Sequence, residues 1–66
     1  MNVVKLKIKL AEVGMNVETL ASLIGVDRSS LYRKLNNFEK FTIGEAMRIK
    51  DALSLEDTEA CEIFLS

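Results

Sequence analysis

Residues 28–40, RSSLYRKLNNFEK, hold the densest set of side chains able to do chemistry. They offer the guanidinium groups of Arg28 and Arg33, the hydroxyls of Ser29, Ser30 and Tyr32, the ammonium groups of Lys34 and Lys40, and the amides of Asn36 and Asn37. All of these groups donate hydrogen bonds, and none is a ready general base or activated nucleophile. The chain has no His, one cysteine (Cys61), no clustered acid pair and no Gly-rich phosphate loop. Acid/base, nucleophilic and metal chemistry therefore lack a constellation, and neither an enzyme nor a cofactor is expected. Cys61 reads as a small buried apolar residue rather than a redox centre. What the donors suit is non-covalent recognition of acceptor surfaces, above all the phosphates and base edges of double-stranded DNA.

Those donors need a scaffold, and residues 16–37, NVETLASLIGVDRSSLYRKLNN, provide one. Two short apolar-periodic segments flank a tight turn, the pattern of a helix-turn-helix. Ala21 is expected at the closest approach of the two helices, where a side chain larger than methyl would push them apart. Gly25 follows the first helix where the chain must turn left-handed, a conformation costing other residues about 1 kcal/mol or more. Leu20, Ile24, Val26, Leu31 and Leu35 supply the apolar faces that fix the angle. If the second helix of this pair enters the major groove, its N-terminal residues Arg28 and Ser29 point at base edges, with Arg33 one turn further along. Ser30, Tyr32, Lys34, Asn36, Asn37 and Lys40 are expected as backbone clamps. Asn16 and Val17 open the first helix of the pair and are expected as further backbone contacts, since N–H groups at a helix start can face a phosphate.

The rest of the chain reads as all-α. Its 66 residues make one domain, residues 1–66, too small to enclose a deep pocket, since such a chain buries only about 60% of its unfolded surface. Apolar content of 48% without Pro favours a core of Leu, Ile, Val and Ala. No run is long enough to span a membrane and no signal-peptide segment opens the chain, so a cytoplasmic protein is expected. Residues 4–10, VKLKIKL, alternate apolar and basic, which locally suits a strand. No other segment offers it a partner, whereas Leu6, Leu10 and Val13 share one helical face, so a helix ending at Gly14 is expected. Asn16 and Asp27 are the expected N-caps of the next two helices. Thr42 with Glu45 predicts a capping box for a fourth, with Ala46, Ile49, Ala52 and Leu53 on its apolar side. A fifth spans residues 57–64.

The stretches GMNVETLASLIGVDRSSLYRKLNN and FEKFTIGEAMRIKDALSLEDTEACEIF together resemble the small helix-turn-helix regulators of the Cro and lambda-repressor type (XRE-like), especially those of phages and prophages. The resemblance covers residues 4–64 and implies a compact five-helix fold with helices 2 and 3 as the DNA-reading pair. It also implies base contacts from the helix positions of Arg28, Ser29 and Arg33. Three positions depart from the family pattern. Val17 stands where the family often has a Gln whose amide reaches a phosphate. Asn37 stands where Gly is common, and as an Asn it tolerates left-handed geometry. Lys34 occupies a slot that is often apolar there, with Leu35 taking over the packing.

Net charge is −1, but residues 1–40 carry +3 and residues 41–66 carry −4. The polarity suits a basic docking face with the acids held away from phosphates. The modest basic excess still implies few phosphate contacts per subunit. Ile63, Phe64 and Leu65 form an apolar run at the end of the chain and are candidates for contact across a two-fold axis. The function expected is sequence-specific regulation of transcription on a double-stranded DNA operator, as a repressor or Cro-like protein. The alternative is a protein-binding module, antirepressor-like, that engages another regulator. No membrane or metal partner is expected.

Overall fold

The computed structural model describes residues 1–37 and 41–65. Its helices run α1 Val3–Glu12, α2 Val17–Ile24, α3 Arg28–Asn36, α4 Ile43–Leu53 and α5 Asp57–Phe64. The alternating segment is helical because a helix sinks Val3, Leu6 and Leu10 into the core and leaves Val4 and Ile8 outside. Asn2 caps it by accepting from the Lys5 N–H at 3.0 Å. Val13 lies past the helix end and is exposed, so it does not extend the Leu6–Leu10 face as expected. Gly14, at φ 70°, then turns the chain toward α2.

At the α2–α3 junction, Asn16 Oδ1 accepts from the Thr19 N–H at 2.7 Å and Asp27 Oδ2 accepts from the Ser29 N–H at 2.9 Å. Gly25 is left-handed at φ 74°, and its N–H returns to the Ala21 carbonyl. A Cβ there would meet nothing within 4 Å, so the need for Gly is conformational rather than steric. Ala21 is 1% exposed where α2 packs on both α3 and α4. Leu20, Ile24, Leu31, Leu35, Ile49 and Leu53 complete the buried contact. Each such Leu or Ile contributes roughly 1.5–3 kcal/mol of burial.

Thr42 and Glu45 form the capping box of α4, with bonds of 2.9 and 3.1 Å. That helix ends at Ser54, which is left-handed at φ 53° without being Gly. A residue with a Cβ there costs about 1–2 kcal/mol, partly offset by the greater chain entropy of Gly when unfolded. Ser54→Gly is therefore expected to stabilise the domain by about 0.5 kcal/mol, read as a melting midpoint higher by about 2–4 °C. An unchanged or lower midpoint would mean that the Ser54 side chain contributes something the backbone does not show.

Helix α5 packs on α1 and α4. Ile63 is 1% exposed and its carbonyl accepts from the Asn2 N–H. The expectation that Ile63 serves a subunit contact is thereby corrected: it faces the core of its own chain. Phe64 is half-buried and meets Phe41 edge-on at 6.0 Å, while Leu65 is 80% exposed. Cys61 is exposed, against the expectation of burial, because the core-facing side of α5 is taken by Ile63. Asn37 is not left-handed: at φ −98°, ψ 5° it continues the helical pattern by donating its N–H to the Arg33 carbonyl at 2.9 Å. No described helix is long and apolar enough to cross a membrane.

Candidate nucleic-acid interface

Helix α3 buries Leu31 and Leu35, and its period of 3.6 residues fixes everything else on it. Ser29, Arg33 and Asn36 recur at helical spacing on the side opposite those leucines, and all three are exposed. Arg28 and Tyr32 stand on the flank toward α1 and α2. Ser30 and Lys34 stand on the flank toward α4. Three of the expected readers and clamps thus form one outward line, and Asn36 shares it with Ser29 and Arg33 rather than standing apart as a clamp.

On the first flank, Tyr32 lines a shallow hollow of about 280 Å³ with Lys7, Met15, Asn16 and Val17. The Asn16 side-chain oxygen is spent on its capping bond, which leaves its NH2 as a donor beside the start of α2. Val17 is half-buried against the core and offers this site only its backbone N–H. Lys7 was not among the expected contacts. Its sequence signal is the same as that of Lys5 and Lys9, and only the packing of α1 separates them.

That packing also corrects the charge reading. Lys5 pairs with Glu62, and Lys9 pairs with Glu59 at 3.0 Å, so both turn toward α5 rather than toward the exposed side of α3. The hydrogen bond from Lys9 raises its own pKa and lowers that of Glu59. Lys50 pairs with Asp57 at 3.0 Å. The acids of α5 are thus matched by lysines of α1 and α4, and the basic excess of residues 1–40 is largely consumed inside the molecule.

Lys34 requires the clearest correction. Expected as a phosphate clamp, it is 19% exposed and donates to both Glu45 carboxylate oxygens, at 2.7 and 2.9 Å. Its ammonium also sits 5.5 Å from the Phe41 ring centroid, within cation–π range. The side chain therefore joins α3 to α4 and is directed away from solvent. Arg48 of α4 donates to the Ile24 carbonyl at 3.3 Å, satisfying an acceptor at the C-terminal end of α2. Arg28 meets Glu18 at 3.3 Å with both side chains about two-thirds exposed. Lys40 lies outside the described residues.

The surface so built presents hydroxyl, guanidinium and amide donors on one exposed helix, with a lysine, an amide and a helix N-terminus beside it. All of these groups donate hydrogen bonds, so the surface suits acceptor-rich partners. The described residues include no cluster of His, Cys, Asp or Glu able to hold a metal ion. The family model of the Cro/C1-type HTH DNA-binding domain matches residues 5–63, a span that runs from the first turn of α1 to the last turn of α5. Neither a curated protein nor a solved structure matches the chain.

Proposed function

Because the chain belongs to the family of Cro/C1-type HTH DNA-binding domains, we propose that it is a sequence-specific transcriptional regulator that lays α3 in the major groove of an operator. The observation that carries this reading is the outward line of Ser29, Arg33 and Asn36 on a helix whose opposite face is locked by Leu31 and Leu35. Arg33 and Arg28 are the base readers, with Ser29 between them. Tyr32, Asn16, Lys7 and the N–H groups that open α2 hold a phosphate. Ser30, Asn37 and Lys40 are further backbone contacts. Such a role places the protein wherever its DNA is, in the cytoplasm of a prokaryotic cell.

Few cations face the docking side, so a single subunit releases few counterions and binds weakly. A second copy doubles those contacts. The groove between α4 and α5, lined by Ile43, Met47, Phe64 and Leu65, is the surface proposed for it, with Ile43 81% and Met47 61% exposed. A two-fold pair of this kind reads half-sites about 34 Å apart. The same scarcity of cations favours the second reading, a protein-binding module that engages another regulator.

Selection from random duplexes, followed by anisotropy at two salt concentrations, separates the two readings. Enrichment of a pseudo-palindrome with steeply salt-dependent affinity supports the regulator; weak, unselective binding removes it. In the same assay Lys7→Ala is expected to weaken all duplexes alike and to reduce the salt slope by about 0.9 for each phosphate that is no longer neutralised. A change in base preference instead would place Lys7 at a base edge. Sedimentation at rising concentration tests the pairing, and a monomer persisting to high micromolar would remove it.

A further inference from the structure

We propose that Glu18 is a specificity-determining residue, acting through Arg28 to disfavour duplexes that lack the base Arg28 reads. The inference rests on the DNA-reading function proposed above. Glu18 is the second residue of α2 and Arg28 the first of α3, and Glu18 Oε1 accepts from Arg28 Nη1 at 3.3 Å. The two helix starts therefore lie side by side at the docking surface.

An exposed pair of this kind adds little to stability. Its side chains are 65% and 64% exposed and joined by one bond, so a purely structural role is a poor account of it. The chemistry of the guanidinium suggests another. Arg carries five donors in a planar fork, and one bond to Glu18 leaves the rest for a base edge. With guanine opposite, Arg28 can engage the N7 and O6 acceptors while keeping its carboxylate partner, and the Glu18 charge stays neutralised. With another base opposite, the alternative for Arg28 is a phosphate oxygen. Turning to it abandons Glu18 and leaves a carboxylate unpaired beside a polyanion. A second acid marks the same helix start, since Asp27 caps α3, but its carboxylate is committed to the Ser29 and Ser30 N–H groups at 2.9 and 3.3 Å. Glu18 is the acid at this edge whose partner is the reader itself. Discrimination then comes from a cost placed on wrong sequences as well as a gain on the right one.

The test measures four proteins, the parent, Glu18→Gln, Arg28→Ala and the double variant, on the selected duplex and on a scrambled one. Glu18→Gln is expected to bind the scrambled duplex about 5- to 10-fold more tightly and with a steeper salt dependence. Its affinity for the selected duplex should stay within about twofold, so the preference for one over the other collapses. In the Arg28→Ala background the same substitution should leave that preference unchanged. Equal gains on both duplexes, no gain on either, or a preference that still shifts without Arg28 would overturn the role of Glu18. A parent that fails to distinguish the duplexes overturns the DNA-reading function itself, and the two failures are thereby told apart. Melting curves confirm that each variant is folded.

Discussion

Arg33→Ala is expected to bind the selected duplex about 10- to 100-fold more weakly than the parent. Arg33 occupies the middle of the exposed line on α3, between Ser29 and Asn36, with Leu31 and Leu35 holding the opposite face in the core. In the function proposed above it reads a base, and truncation removes that contact. A bidentate pair between Arg and guanine discriminates by roughly 1–3 kcal/mol, which sets the size of the loss. Reselection with Arg33→Ala should relax the base preference at one position in each half-site. Arg33→Lys should not restore it, because an ammonium cannot reproduce the planar fork. A loss spread evenly over all sequences, with a lower salt slope, would instead reassign Arg33 to a phosphate.

The elements that could be read from sequence were those governed by neighbours in the chain. Asn16, Asp27 and the Thr42–Glu45 pair cap helices through bonds spanning two or three residues, and all formed as expected. Gly25 and Ala21 followed from backbone handedness and from the space between two helices. The apolar period of α3 fixed its buried face because only Leu31 and Leu35 could supply one.

What could not be read was the direction of long charged side chains. Lys5, Lys7 and Lys9 alternate identically in sequence, yet two meet acids of α5 and one faces the start of α2. The separation depends on the rotation of α1 against α5, which no local rule contains. Lys34 and Glu45 are eleven residues apart, and Glu18 and Arg28 are ten apart. Pairing across helices arises only once the helices pack. Sequence placed Lys34 among DNA contacts by its position on α3, and its tertiary partner redirected it.

That partner gives Glu45→Ala a large expected effect on stability for a residue outside the apolar core. The Glu45 carboxylate accepts from the Thr42 N–H at 2.9 Å, and its two oxygens also hold the Lys34 ammonium. Removing it loses half of a capping box, at about 1 kcal/mol. It also strands the Lys34 ammonium, 19% exposed, beside Phe41. Leaving a partly buried charge without its partner adds about 1–2 kcal/mol, less than for a fully buried ion. A domain of this size has roughly 3–5 kcal/mol to lose, so the variant should melt about 10–20 °C lower. Lys34→Met, which removes the charge and keeps the stem over Phe41, should cost less than Glu45→Ala, and the reverse order would show that an unpaired Glu45 carboxylate is penalised more than a stranded Lys34 ammonium. The pair also sets a pH dependence. The bond from Lys34, followed by that from the Thr42 backbone, holds the Glu45 carboxyl below the ordinary glutamate value of 4.5. A carboxyl depressed on folding contributes stability that is fully present above its unfolded pKa and is lost as pH falls through the lower folded one. The parent should therefore lose stability steeply below about pH 4.5, and Glu45→Ala should show a shallower acid limb in melts between about pH 6 and 3. An identical limb in both proteins would assign the acid sensitivity to other carboxylates and reduce the Lys34–Glu45 contact to a packing detail.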